Sequence, residues 1–250
     1  MNDIKSQYHL PVLMYHRIVK KRSEAGRHNI YVTLKRFRAQ LTYLKEQGFQ
    51  TITFRDVNKS ADHISATKNV ILTFDDGYLD NYKFLFPLLK EFGFTAVIFL
   101  VTKQKQNAWG IREGEPALDL MNSDQVREMD QYGIEFGGHT QNHPDLLLCN
   151  KDQLKEEIAG CKKDIESLLN REVISFAYPF GGLNQEIKQE VKRAGYLYGI
   201  STNTGPYNFS DDLFQVRRIE VSSKTLLYSF KRKVSGYYFK PSFLSYFSSK

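Results

Sequence analysis

At 250 residues, with 41% hydrophobic and 25% charged side chains, the chain is long enough for a large hydrophobic core and has the composition of a globular protein. No apolar run approaches the roughly 20 residues that cross a bilayer, and residues 1–9 lack the apolar stretch of a secretory signal, so a cytoplasmic location is expected unless the sequence begins after processing. The net charge of +7 gives general attraction to anions, but no zinc-finger spacing, RNA-binding signature or basic recognition helix accompanies it, so no nucleic-acid partner is expected.

Taken in chain order, strand-like runs alternate with helical patterns. Residues 11–18 read as a strand, and residues 34–48 as a helix with Thr33 as N-cap and Phe37, Leu41 and Leu44 at helical spacing. Extended structure resumes at 51–54. The apolar run 69–74 then closes on Asp75-Asp76-Gly77-Tyr78, which reads as a buried strand opening into a tight loop. A helix near 81–92, a strand at 95–101 and a long polar loop at 102–121 with the only tryptophan, Trp109, follow. Next come a short helix capped by Ser123 and running to 132, a strand at 133–137, a long charged helix near 151–170 and a strand at 173–178. A helix near 185–194 and strands near 197–202 and 214–221 complete the pattern. This rhythm predicts a parallel sheet with crossover helices, barrel or open, in a single domain. Cys149 and Cys161 lie outside any CxxC pair and away from basic clusters, so neither a disulfide framework nor a nucleophilic thiol is expected.

In such a sheet, sites form where the strands end at their C-termini. Three features share that rim: Asp75-Asp76, then His139 and His143 four residues apart, then Tyr178-Pro179-Phe180-Gly181. Two adjacent carboxylates repel unless a cation sits between them, although Asp-Asp-Gly is also an ordinary solvated turn. Two histidines and one carboxylate leave coordination positions open, as catalytic metal sites do.

The stretches Thr73-Phe74-Asp75-Asp76-Gly77-Tyr78, His139-Thr140-x-x-His143 and Phe176-Ala177-Tyr178-Pro179-Phe180-Gly181, in this order, resemble the motifs of the polysaccharide deacetylases (carbohydrate esterase family 4, the NodB homology domain). The likeness spans about residues 10–222. It implies a distorted (β/α) barrel of about seven parallel strands and metal-dependent removal of N-acetyl, sometimes O-acetyl, groups from sugars. It further implies Asp76, His139 and His143 as ligands of one divalent ion, Zn2+ first and Co2+, Ni2+ or Fe2+ as alternatives. Asp75 takes the place of the general base and the backbone N–H of Phe180 that of the oxyanion donor.

Two departures stand out. Ala177 replaces the arginine that orients the catalytic aspartate in many members, and Arg218 is the candidate substitute, with Arg217 pointing the other way if that strand alternates. No histidine follows His143 to act as general acid. His16, after Tyr15, resembles the Tyr-His element of the poly-N-acetylglucosamine deacetylase branch, and imidazole is the side chain that titrates nearest neutral pH. Tyr15, Tyr78, Trp109 and Tyr178 are expected at the sugar. Residues 223–250 interleave basic and aromatic side chains, which suits peripheral contact with an anionic membrane and a lipid-linked glycan as substrate. The expected function is N-deacetylation of an amino sugar in a surface polysaccharide, oligosaccharide or lipid-linked precursor. The alternatives are an O-acetyl esterase or small-amide deacylase on the same scaffold, or a non-catalytic carbohydrate-binding relative.

Overall fold

The computed structural model describes residues 10–26, 28–59, 68–203 and 212–235. The expected contribution of residues 236–250 to the C-terminal segment lies outside them. The N-terminal part comprises β1 (Val12–Tyr15), β2 (Arg17–Val19), β3 (Tyr31–Thr33), α1 (Leu34–Glu46), β4 (Gln50–Thr51) and α2 (Phe54–Lys59). The middle runs through β5 (Asn69–Phe74), a π-helical turn Asn81–Leu85 leading into α3 (Phe86–Phe92), β6 (Val97–Leu100), α4 (Ala108–Arg112), α5 (Ser123–Tyr132) and β7 (Glu135–Gly138). Then follow α6 (Lys151–Lys155), a second π-helical turn Glu156–Gly160, α7 (Cys161–Leu169), β8 (Ser175–Ala177), α8 (Gln185–Arg193), β9 (Tyr198–Ile200), β10 (Ile219–Glu220) and α9 (Leu227–Val234).

Seven of these strands lie side by side, all parallel, in the order β10-β1-β5-β6-β7-β8-β9, and β4 adds a short ledge beside β5. The ends of this path meet through Val216, which bridges Ile200, accepts from Ser201 N and donates to Gly199 O at 2.8 Å each. Arg218 N donates to Asn203 O at 3.1 Å, and Val221 N to Met14 O at 2.8 Å. The barrel is therefore closed by single contacts on one side, which is its distortion.

Strand alternation sorts the apolar residues into two layers. Val12, Ile71, Val97, Phe99, Ala177, Tyr198, Ile200 and Val216 pack with Phe54 inside the curl. Leu13, Tyr15, Leu72, Phe74, Ile98, Leu100 and Phe176 pack outward against Phe37, Leu41, Leu89, Ile158 and Ile165 of the helices. Both faces being covered, all six residues of β5 are buried, as expected of a parallel strand read from a continuous apolar run.

Several local expectations need correction. The strand expected over 11–18 breaks at His16, because Asn81 Nδ2 donates to His16 O at 2.9 Å while Asp80 Oδ1 accepts from Ile18 N at 3.0 Å. Phe54 opens a helix rather than ending a strand, with Asp56 accepting from Thr53 N at 2.9 Å. Asn122, not Ser123, caps α5, in a reciprocal capping box with Gln125. The loop 102–121 contains α4, the helix near 151–170 is interrupted by its π turn, and the strand expected at 214–221 contracts to Ile219–Glu220. Among the described residues no helix is long and apolar enough to cross a membrane.

Candidate active site

β5 ends at Phe74, and the chain then turns sharply. Asp75 N still donates to Tyr15 O at 3.0 Å, whereas Asp76 enters the left-handed region at φ 74°, followed by Gly77 at φ 73°. Aspartate tolerates this conformation better than most residues, and it lets two consecutive carboxylates face different partners. At Gly77 the turn also runs close to β6: a Cβ there would lie 2.7 Å from a Leu100 methyl.

Asp76 faces the histidines. Its Oδ1 lies 3.4 Å from His139 Nε2 and 3.3 Å from His143 Nε2, and ligand atoms of the three residues all fall within 4.8 Å of one another. All three are buried. His139 Nδ1 donates to Ala177 O at 2.7 Å, which puts the Nε2 lone pair toward Asp76. Asp76 Oδ1 is buried without a hydrogen-bond partner. An orphaned carboxylate oxygen facing two imidazole nitrogens is a donor set that fits a divalent cation. Burial would raise the Asp76 carboxyl, but the two imidazoles outweigh it and hold it well below the usual range. Burial also opposes charge on the imidazoles. At His139 the aspartates prevail and raise the pKa; at His143 burial prevails and lowers it. The expected ligand spacing is met by a loop turn, with Thr140 at φ 69°, His143 at φ 59° and His143 N donating to Thr140 Oγ1 at 2.9 Å.

Asp75 faces the other way. Arg218 grips it bidentately, Nη1 to Oδ1 at 2.6 Å and Nη2 to Oδ2 at 2.7 Å. The guanidinium is 0% exposed and is itself fixed by Ser201 O (3.0 Å) and Thr73 Oγ1 (3.0 Å). Of the two neighbouring arginines, Arg218 is the one that contacts Asp75, and Arg217 is exposed. Burial pushes the Asp75 carboxyl up, but the charge and hydrogen bonds of Arg218 prevail and keep it below the ordinary aspartate range. His16 Nε2 stands 3.8 Å from Asp75 Oδ2, on a half-buried side chain.

His16, Asp75, Asp76, His139 and His143 line a cavity of about 350 Å³. Trp109 stacks on His143 with ring centroids 4.2 Å apart at 21°, and the Phe180 ring meets the same imidazole edge-on at 4.7 Å. Trp109 is 7% exposed, so it is a wall behind the ligand rather than an open platform. Phe180 holds φ 56° in the turn Pro179–Gly181 and is exposed. Tyr78 and Tyr178 also line the cavity, although the Tyr178 hydroxyl donates to Phe214 O at 2.9 Å. Tyr15 is a correction. It shares the outward parity of Leu13, stacks on Phe74 at 4.9 Å, donates to Gln40 Oε1 at 3.0 Å, and does not reach the cavity. Burial pushes the Cys161 thiol up to about 12, consistent with an inert core residue.

Arg17 and Asp80 were not singled out by the sequence reading. Arg17 lines the cavity, pairs with Asp80 Oδ2 through Nε at 3.0 Å and donates to Ala25 O at 3.1 Å. Burial raises the Asp80 carboxyl to about 6 against the pull of that guanidinium. The only signal was proximity: Arg17 follows His16 directly, and Asp80 follows the Asp75-Asp76 pair within five positions.

The sequence profile of the polysaccharide deacetylase family matches residues 63–199. YxkH of Bacillus subtilis strain 168, which carries the name of a polysaccharide deacetylase, is 30% identical over 215 residues, covering 85% of this chain and 71% of its own. The poly-β-1,6-N-acetyl-D-glucosamine N-deacetylase of Staphylococcus epidermidis is 27% identical over 205 residues, covering 78% of this chain and 69% of its own. Among solved structures, the Streptococcus pyogenes deacetylase PplD in complex with acetate is similar with a TM-score of 0.80 at 28% identity, over 91% of this chain and 99% of that one.

Proposed function

The chain belongs to the polysaccharide deacetylase family, and from that premise we propose that it hydrolyses the N-acetyl group of an amino sugar within a glycan, leaving acetate and a free amine. One observation carries the reading: a buried Asp-His-His set and a separately clamped carboxylate open onto the same cavity. A module that only binds sugar has no use for an ionised aspartate held by a buried arginine beside a ligand set.

Asp76, His139 and His143 are the proposed metal ligands, and their nitrogen and oxygen donors suit Zn2+, with Co2+, Ni2+ and Fe2+ able to take the same set. Bound there, the cation would supply Lewis acidity to the acetamide carbonyl. Asp75, kept ionised by Arg218, accepts the proton of the attacking water as the new C–O bond forms. The carbonyl oxygen becomes an oxyanion, for which the Phe180 backbone N–H is the proposed donor. His16 gives a proton to the sugar nitrogen as the C–N bond breaks. Its position across Asp75 Oδ2 supports this role. Tyr78, Trp109 and Tyr178 bound the space left for the sugar.

The relatives named as poly-β-1,6-N-acetyl-D-glucosamine N-deacetylases make that polymer the first to try. Acetate release from N-acetylglucosamine oligomers, abolished by chelator and restored by Zn2+, is the expected result. Release from O-acetylated sugars alone would turn the reading to an esterase. Sugar binding without release would turn it to the non-catalytic relative.

Peripheral contact with an anionic membrane is part of the proposal. Exposed apolar side chains include Phe180 at the cavity, Leu147 and Leu148 in the segment between β7 and α6, and Leu226, Leu227 and Tyr228 at the start of α9. Lys224, Arg232 and Lys233 share a groove with Tyr228. Apolar tips flanked by cations suit a headgroup layer. Sedimentation with phosphatidylglycerol vesicles but not phosphatidylcholine vesicles is expected, and equal recovery with both would remove the membrane from the proposal.

A further inference from the structure

The turn between the two proposed histidine ligands is hydrogen-bonded by a carboxylate from the helical segment that follows it. Thr140 and His143 both adopt left-handed φ, at 69° and 59°, a conformation unusual for a β-branched residue. The two residues between them are held from outside. Gln141 N and Asn142 N both donate to Glu157 Oε2, at 2.9 and 2.8 Å, and Asn142 Nδ2 donates to Glu157 Oε1 at 2.7 Å.

Glu157 stands in the π turn Glu156–Gly160, where the helix widens by one residue. Such bulges are uncommon and frequently accompany functional sites. The opposite side of the turn is fastened to the loop after β6. Lys103 N donates to Gln141 O at 2.8 Å, and Gln104 Nε2 to Asn142 Oδ1 at 2.8 Å. Gln141 Nε2 donates to Asp164 Oδ2 at 2.9 Å, and Gly160 leaves it room, since a Cβ there would lie 2.6 Å from that nitrogen.

We infer that Glu157 is a positioning residue for the metal ligands: by taking three N–H bonds from Gln141 and Asn142, it fixes the turn that points His139 and His143 at Asp76. The inference rests on the proposed metal site and adds a residue that touches neither the imidazoles nor the sugar. Its carboxylate collects the amides of a turn that would otherwise relax toward ordinary backbone angles and part the two Nε2 atoms.

Co2+ titration of the full chain, in competition with a chromophoric chelator and with the visible ligand-field bands recorded, tests it. Glu157→Ala is expected to weaken Co2+ binding about 10–100-fold and to alter the bands, the range typical when a residue supporting a ligand is lost. Glu157→Gln, which keeps one oxygen for the two backbone amides, should recover part of the affinity. A folded Glu157→Ala chain with wild-type affinity and bands overturns this inference alone. A wild-type chain that binds no Co2+ overturns the metal site as well. If Glu157→Ala does not fold, Asn142→Ala, which keeps the two backbone amides on Glu157 but loses the side-chain bonds to Glu157 and from Gln104, should bind several-fold more weakly than the Gln104→Ala control, and equal affinity of the two overturns the inference.

Discussion

Asp76 and its two histidines meet through short turns at the ends of β5 and β7, and His16 meets Asp75 at the ends of the paired strands β1 and β5, whereas Arg218 reaches Asp75 only where the barrel closes. His139 and His143 share one loop, and Asp76 meets them through a single left-handed residue at the end of β5. Arg218 stands 143 residues from Asp75, and its guanidinium reaches the carboxylate because Val216 bridges Ile200 of β9 just before β10 begins. The first half depends on local backbone shape, the second on barrel closure. They should therefore fail differently when perturbed.

The largest effect is expected at Asp76. Asp76→Ala should lose both metal binding and acetate release, read by metal analysis and by assay. Asp75→Asn should lower kcat by roughly 10²–10⁴-fold with metal content unchanged, as removal of a general base does; parallel loss of metal would erase the distinction between the halves. His16→Ala should slow turnover within the same range, toward its lower end for substrates with better leaving groups, and an unchanged rate on every substrate would leave His16 a structural role only.

Arg218→Gln tests closure directly. Removing one partner of a buried ion pair costs about 3–5 kcal/mol, so the unfolding midpoint should fall. The pH dependence should shift as well. In the wild type the lowered Asp75 pKa contributes stability that is present above the ordinary aspartate range and lost as pH falls through the lowered value. Without Arg218 burial prevails, Asp75 takes up its proton at higher pH, and the acid limb of kcat/KM moves upward. The smallest effect on activity is expected for Tyr15→Phe. It loses the bond to Gln40 and about 1–3 kcal/mol of stability, with kcat and KM unchanged, because the side chain faces the helices.

The alternating elements, the parallel sheet and the rim location of the site were legible because buried strands and amphipathic helices write their periods into the chain. The ligand set was legible for a related reason. Asp76, His139 and His143 sit in short motifs whose local geometry travels with the residues. Tyr15 was misread because adjacency in sequence does not mean adjacency in a strand, where neighbours face opposite layers. The break at His16 was invisible because it is imposed by Asp80 and Asn81, more than 60 residues away. The π turn at Glu156–Gly160 left no mark in the helical spacing, and so the clamp made by Glu157 was missed.

By itself, the sequence determined the alternating elements and that strand ends would present Asp75, Asp76, His139 and His143 together, since these follow from residue type and from periodicity over short spans. Only the tertiary structure decided which partners they meet. Arg218 is no closer to Asp75 in sequence than many other cations; it grips that carboxylate because β10 returns beside β1 and closes the barrel, burying the pair. Long-range pairing depends on how the whole sheet curls, and no window of sequence short enough to read contains that information.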